Sequence, residues 1–493
     1  MLNAVRNLRR LFVIATVLAI PNRRLRKGQR FALAFERLGP TFIKFGQALS
    51  TRSDLIGDEM ADDLGGLRDS LPPFPTSVAR AIIAEQLGAP IDSLFSTFDD
   101  VPVAAASIAQ VHHAVTKDGK TVAVKILRPG IEKAFERDLG LFEWIAEIID
   151  QHVSRLRRLK PVEVVETFRE SVFFELDLRF EAAAATELAD NISAQNLGLK
   201  IPAVFWNLTS RRVLTTEWVE GIKIQDVAAI KAQGFDPDAI LSKLARSLFY
   251  QVFHDGFFHA DLHPGNLFVD RNGDIAAVDF GIMGRLDLKS RIYMAEILRG
   301  FLTEDYAHVA QIHFTAGYVP AGKSLPMFTQ ACMAVAKPII GKPLNEISVA
   351  NLLGQMFKIA GEFEMETQPQ LLLLQKTMVV TEGVGRMLNP NVNMWELAQP
   401  LIEEWANDQF GIAAKMKSTA QGGIGFAKHL PMMMEQAQQT LQNLGDKDGI
   451  KIHPDSIAVL TRSRQKHLNR RLFLLWTALV IATIFVVSIS VRQ

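Results

Sequence analysis

Two carboxylates and an amide, Asp261, Asn266 and Asp279, stand within the apolar stretch FFHADLHPGNLFVDRNGDIAAVDFGIMGRL, residues 257–286. Burying a carboxylate is costly unless a cation compensates it. Asp261 and Asn266 fall on a loop after the amphipathic segment AILSKLARSLFYQVFHDG, and Asp279 follows the β-like run GDIAAVDFG. A hairpin-like return would carry Asp279 back beside Asn266. An amide and a carboxylate converging there, with a second carboxylate nearby, suit a hard cation that carries phosphates. Upstream, Val122, Val124 and Ile126 alternate with Ala123, Lys125 and Leu127, so Lys125 leaves a strand on the face opposite the valines. Its ammonium could hold phosphate oxygens, and Glu181 on a later helical stretch is an acid able to fix it. These parts spell a phosphoryl-transfer site.

The elements that must position them follow from periodicity. Residues 31 to about 100 read as helical segments broken at Gly39-Pro40 and Pro72-Pro73. Ile108–Val115 and Thr121–Leu127 read as a hairpin around TKDGK. Helical spacing of Ile131, Phe135, Leu139, Phe142 and Ile145 comes next, then one long helical stretch over about 162–191. Short strands are expected around IPAVFW and RRVLTTEWVEG, and helical periodicity dominates beyond Pro237.

Composition narrows the function class. Lys and Arg (54) nearly cancel Asp and Glu (53), which gives no bulk electrostatic case for nucleic acid. The single cysteine, Cys332, excludes an internal disulfide framework and a multi-thiolate metal site. It sits in QACMAVAKPII, which reads as packed helix rather than a nucleophile's setting. No strand-G-x-G-x-x-G-helix unit for a flavin is present.

VAVK (122–125), HADLHPGN (259–266) and DFG (279–281) resemble the protein-kinase signature set in the right order. The glycine-rich phosphate loop is replaced by VAAASIAQV, residues 103–111; KFGQ (44–47) lies upstream, and ELD (175–177) precedes Glu181. With QPQLLLLQKTMVVTEGVGR (368–386), the combination resembles the UbiB family of atypical kinases, linked to ubiquinone biosynthesis. The resemblance implies an α+β, two-lobed protein-kinase-like fold: a small antiparallel N-lobe, a helical C-lobe, a helical N-terminal extension and a C-terminal transmembrane helix. The expected boundaries are a basic membrane-proximal segment (1–35), an extension or lid (36–100), the N-lobe with inserted helices (101–225), the C-lobe (226–445), a basic linker (446–471) and the membrane helix (472–491).

Carried over residue by residue, the resemblance implies ATP or ADP and Mg²⁺ as cofactors. It makes Lys125 the phosphate-holding lysine, Glu181 its ion-pair partner, Asp261 the catalytic-loop acid, and Asn266 and Asp279 the Mg²⁺ ligands. It further implies nucleotide contact by Val103, Ala104, Ala105, Ala106, Ser107, Ile108, Ala109, Gln110, Val111, Glu217 and Val219. Lys44 and Gln47 would form a lid facing Glu175 and Asp177, with Lys44 paired to one of those two acids. His259 matches a usually structural position, and His263 stands where ordinary kinases carry lysine. Alanines in place of glycines make the phosphate loop stiffer, so nucleotide should be held differently here. Ala260 replaces the arginine of many protein kinases, and helix resumes at about Lys289, which leaves no platform for an extended peptide. A lipid or small-molecule role fits better than a protein kinase, and retention of all four site residues speaks against a scaffold without turnover.

Leu472–Val491 is an uncharged run of 20 residues, about the length that spans a bilayer core. Arg462, Arg464, Lys466, His467, Arg470 and Arg471 precede it, so a tail anchor with a cytoplasmic catalytic part at a bacterial inner membrane is expected. Leu11–Ile20 is apolar but short, and eight Lys or Arg residues precede Glu36, which suits an interfacial basic helix. Expected partners are membrane lipid, quinone precursors and other ubiquinone-biosynthesis enzymes, with no nucleic acid. Deleting 472–493 should release a protein that salt washes from membranes, because the basic N-terminus holds lipid by screened charge. Firm membrane binding of the truncated protein at high salt would show that residues 11–20 insert deeply.

Overall fold

The structure, a computed structural model, describes residues 25–50, 56–67, 71–153, 161–193, 195, 197–338, 359–365, 369–391, 397, 400, 401 and 405. The strands are β1 (Phe95–Phe98), β2 (Ala104–Ala105), β3 (Ala109–Thr116), β4 (Thr121–Leu127), β5 (Leu199–Lys200), β6 (Val213–Glu217), β7 (Ile222–Lys223), β8 (Phe257–His259), β9 (Leu267–Val269), β10 (Ile275–Ala277) and β11 (Met283–Arg285). A five-stranded antiparallel sheet runs β1-β3-β4-β6, with β2 paired to β3. The β3–β4 hairpin closes through Gly119, whose φ of 79° is the left-handed conformation that glycine adopts without a steric cost. Val122, Val124 and Ile126 are fully buried on one face of β4, packed with Ile82, Ile83, Phe95 and Phe98. Lys125 leaves the other face.

Two expectations give way here. Phe95–Phe98, read as part of a helical extension, is an edge strand paired antiparallel with β3, with a register shift between Phe95 and Thr97. Its two phenylalanines enter the core while Ser96 and Thr97 face outward, a short pattern that helical and extended readings share. The single long helix expected over 162–191 is two, Pro161–Glu175 and Leu178–Ser193. The Asp177 carboxylate accepts the Arg179 N–H at 3.2 Å, and a short polar side chain that satisfies a backbone donor competes with helix continuation. Of the strand expected around IPAVFW, an isolated bridge between Val204 and Thr216 forms.

The second half is mainly helical around a large apolar core that includes Leu241, Leu244, Leu248, Val252, Phe253 and Phe258. The helix Pro237–Phe249 starts with the Asp236 side chain accepting the Asp238 N–H and Pro237 in its first turn. It runs into a π-helical turn, Tyr250–Asp255, closed by Gly256 at φ 67°. Two small sheets hang below it: β5-β10-β9-β7, and the pair β8–β11. Gly284 on β11 lies directly over Phe258, where an added Cβ would come within 2.1 Å of the ring. The run 472–491 and the apolar run 11–20 lie outside the described residues. Among the described residues no helix is long and apolar enough to cross a membrane.

The buried His112 and the half-buried His313 tie stability to pH. His112 stacks on Phe98 and its Nδ1 is 2.8 Å from the Asp99 carbonyl; His313 packs on Phe328 with Nδ1 2.8 Å from the Val309 carbonyl. Burial lowers both pKa values. The unfolded chain therefore binds more protons than the folded one as pH falls below about 6.5, and stability falls with it. Thermal melts should show Tm dropping from pH 7.5 to 5.5, with a shallower slope in His313→Gln. Equal slopes in the two proteins would remove His313 from this account.

Candidate active site

The site is built first on the antiparallel register of β4. Lys125 Nζ lies 2.8 and 2.9 Å from the two carboxylate oxygens of Glu181, in the first turn of the helix Leu178–Ser193. Both side chains are mostly withdrawn from water. The same ammonium lies 3.0 Å from Asp279 Oδ1. Burial opposes the charge on Lys125, but Asp279 and Glu181 outweigh it and push its pKa above that of an ordinary lysine. The Lys125 ammonium in turn holds the Asp279 carboxyl well below the usual carboxylate range, with Lys44 adding to the effect.

Asp279 reaches this place by a backbone conformation that few residues accept. It follows β10 with φ 67°, and aspartate is among the few non-glycine residues that visit the left-handed region. The β9–β10 register pairs Leu267 with Ala277, and the Val278 N–H donates to the Asn266 carbonyl at 2.9 Å. The hairpin-like return expected from the spacing is therefore present. Asn266 ends a short turn, Pro264–Asn266, and its side-chain amide N–H donates to the Asp261 carbonyl at 3.3 Å. That leaves its amide oxygen and the half-exposed Asp279 carboxylate as hard oxygen donors. Such a pair fits Mg²⁺ carrying phosphates, which keeps few protein ligands. Among the described residues no cluster of three or more His, Cys, Asp or Glu could hold a metal by itself.

The loop from His259 to Asn266 is oriented by histidines. The Asp261 N–H donates to His259 Nδ1 at 3.1 Å, and the His259 N–H donates to the Gln251 side-chain oxygen on the π-helical turn at 3.0 Å. His259 is fully buried, and burial lowers its pKa, which suits a neutral ring accepting at Nδ1. His263 Nδ1 accepts the Gly265 N–H at 3.1 Å and so caps the turn. Asp261 itself meets Lys376, with Nζ 3.1 Å from Oδ1. Lys376 was not among the residues expected here. Its one signal is a charge inside LLLLQKTMVV, and nothing in the spacing ties it to a loop 115 residues earlier.

The remaining expected residues fall into two groups. Lys44 Nζ pairs with Glu175 at 2.8 Å, both side chains 13% exposed, whereas Asp177 is engaged by the Arg179 guanidinium at 2.6 and 2.9 Å. The helix Pro40–Ser50 carrying Lys44 and Gln47 is pinned by Phe42 and Phe45 against Phe142, with ring centroids 5.0 and 4.6 Å apart. Gly46 lies so close to Leu67 that a Cβ would come within 2.4 Å. In the alanine turn, the Val103 N–H donates to the Val111 carbonyl and the Ala106 N–H to the Ala109 carbonyl, both at 2.8 Å. Arg128 donates to the Ala106 carbonyl at 2.8 and 3.0 Å and so clamps the turn. Ala104 and Ala105 form β2, while Ser107, Ile108, Ala109 and Gln110 are buried in the lobe. The Gln110 amide is spent on Phe74, accepting its N–H at 3.0 Å, and the residue is fully buried between β2 and β4, so the expected nucleotide contact by Gln110 has no exposed group to make it. Glu217 ends β6, and Val219 follows on the segment that leads to β7 in the second sheet. Cys332 is buried, and burial pushes its thiol up to about 12, which excludes a reactive thiolate.

Residues 66–313 match the ABC1 atypical kinase-like domain, and residues 332–393 match the UbiB helical domain. A protein of Marinobacter nauticus named "Probable protein kinase UbiB" is 42% identical over 439 residues, 88% of this chain and 79% of that one. The chain belongs to the UbiB family. A like-named protein of Aeromonas salmonicida is 40% identical over 423 residues, 85% of this chain and 77% of that one. Among solved structures, an Rv3197–erythromycin complex from Mycobacterium tuberculosis is similar, with a TM-score of 0.51 and 26% identity over 72% of this chain and 90% of that one. The kinase-like fold is thus shared with a solved relative. Lys125, Glu181, Asp261, Asn266 and Asp279 fall within the first matched domain and Lys376 within the second, while Lys44 and Gln47 precede both.

Asparagine also tolerates left-handed φ, so Asp279→Asn changes charge with little backbone cost. This variant should lose at least about tenfold in MgADP affinity, about 1.4 kcal/mol, with Tm close to wild type. Lys125→Ala should lose affinity and Tm together, because Glu181 stays buried without its cation. Thermal-shift titration with MgADP separates the two patterns; wild-type affinity in Asp279→Asn would dissociate this site from nucleotide.

Proposed function

We propose that the chain is an ATP-dependent atypical kinase or ATPase that supports ubiquinone biosynthesis at a membrane, acting on a lipid or quinone precursor. The observation that carries this reading is the convergence of Lys125, Asp279, Asn266 and Asp261, each linked to the next by contacts of 3.3 Å or less or by the paired β9–β10 hairpin. Lys125, held by Glu181, would grip the phosphate oxygens of the nucleotide. Asn266 and Asp279 would hold Mg²⁺, which when bound neutralises charge on the phosphates. Asp261 would orient the acceptor hydroxyl and take its proton. The Lys44–Glu175 pair and the clamped alanine turn restrain the site from the N-terminal side, which suits slow and regulated turnover.

The relatives are named as probable protein kinases, and that is the second reading. Against a peptide acceptor, β11 pairs directly with β8 and the next helix begins at Leu288. The segment from Phe280 to Asp287 is too short to build a peptide platform. Membrane association rests on the uncharged run Leu472–Val491 and its basic flank.

The deciding measurement is ATP turnover by the purified full-length protein, with and without phospholipid vesicles and phenolic quinone-precursor mimics. Turnover that rises with both additions is expected. Nucleotide binding without turnover under any of these conditions would leave a scaffold as the correct description, and efficient labelling of protein substrates would favour the second reading.

A further inference from the structure

Asp261 is met by a lysine from outside its own loop. Lys376 lies on the helix Pro369–Leu388, and its Nζ is 3.1 Å from Asp261 Oδ1. About a third of each side chain is exposed, 32% for Lys376 and 33% for Asp261, so the pair is half-buried and still reaches solvent. Solvent-reaching pairs of this kind add little to stability. The helix itself is held firmly. Leu374, Val384 and Leu388 are buried in the core of the C-terminal half, and the Thr377 and Thr381 hydroxyls donate back to the Leu373 and Thr377 carbonyls at 2.8 Å. Past its end, the Asn389 side-chain amide donates to Asp238 Oδ1 at 2.5 Å. A rigid element therefore presents an accessible ammonium to the catalytic-loop acid.

The loop has no lysine of its own at the corresponding place. His263 stands where ordinary kinases carry lysine, and its Nδ1 is committed to the Gly265 N–H. Lys125 is engaged by Glu181 and Asp279, and Lys44 by Glu175. The acceptor side of the site thus takes its positive charge from a helix 115 residues away in sequence.

We propose that Lys376 is a catalytic residue, the acceptor-side cation of the site, replacing in space the lysine that the loop lacks at His263. This rests on the phosphoryl-transfer reading above. In the resting site the ammonium holds the Asp261 carboxylate in one orientation. During transfer the acceptor hydroxyl oxygen forms a bond to the γ-phosphorus while the bond from that phosphorus to the bridging oxygen breaks, its electron pair leaving with ADP. The hydroxyl proton passes to Asp261. As the carboxylate becomes neutral, the Lys376 ammonium turns to the oxygens of the moving phosphoryl group, where charge must be balanced. The products are ADP and a phosphate monoester, or inorganic phosphate when water is the acceptor.

The test uses the full-length protein in vesicles containing anionic phospholipid, with ATP hydrolysis and MgADP affinity both measured. Lys376→Ala should lower kcat about hundredfold while MgADP affinity stays within about twofold of wild type. Lys376→Arg should keep kcat within about tenfold of wild type, because the charge remains. Introducing His263→Lys into the Lys376→Ala protein should recover at least about tenfold in kcat, since it returns the cation to the loop. Wild-type or faster turnover by Lys376→Ala overturns the assignment, the faster result marking the pair as a brake. Equal losses of kcat and MgADP affinity also overturn it, showing a helix that only supports the fold. Failure of both Arg and the loop lysine to restore turnover has the same consequence. A wild-type protein that binds MgADP and never hydrolyses ATP overturns the phosphoryl-transfer reading itself, and the assignment with it.

Discussion

Withdrawing an ammonium and a carboxylate from water is costly, and the Lys125–Glu181 pair does so beside Asp279. The cost is offset only if both partners are held in register, with both Glu181 oxygens within 2.9 Å of the ammonium. Much of the surrounding architecture serves that requirement. The fully buried Val122, Val124 and Ile126 anchor one face of β4, which turns Lys125 toward the other. The chain breaks between Glu175 and Leu178, so the helix that follows starts with Glu181 in its first turn, aimed at that lysine. Asp279 then completes a second contact to the same ammonium from the C-terminal half, through a left-handed residue at the end of β10.

The same break explains how the N-terminal extension is attached. Glu175 is the last residue of one helix and pairs with Lys44, while Asp177 turns back to its own neighbour Arg179. Buried Phe42 and Ile43, the contacts of Phe42 and Phe45 with Phe142, and the close approach of Gly46 to Leu67 hold the Lys44 helix in place alongside the ion pair. The alanine turn is restrained in a similar way by Arg128, whose guanidinium binds the Ala106 carbonyl and also reaches the carbonyls of Leu71 and Pro72. The extension and the turn are thereby tied to one residue.

In the loop from His259 to Asn266 and around it, polar side chains are used up in orienting backbone. His259, His263, Gln251 and Asn266 each spend a nitrogen or oxygen on a main-chain partner. What remains facing outward is the chemistry: the Asp261 carboxylate, the Asn266 oxygen and the half-exposed Asp279 carboxylate. Each carboxylate has a lysine beside it, Lys376 for Asp261 and Lys125 for Asp279. Two cations from distant elements, Lys125 and Lys376, therefore stand among three acids, Glu181, Asp279 and Asp261.

Local patterns were enough to read much of this from the chain. A period-2 alternation in Thr121–Leu127 places Lys125 opposite the valines, and a two-strand return after Asn266 places Asp279 beside it, because both depend on residues a few positions apart. The kinase-like signature order and the extension motifs likewise survive as short strings. Tertiary structure alone decided the rest. Whether Lys44 meets Glu175 or Asp177 depends on a two-residue break in which Arg179 claims Asp177, and helical periodicity over 162–191 does not register such a break. Phe95–Phe98 becomes a strand because β3 has an open edge to pair with, which its own four residues do not encode. Lys376 reaches Asp261 only after the helix Pro369–Leu388 has buried Leu374 and Val384, since a contact across 115 residues follows from packing and leaves no spacing to read.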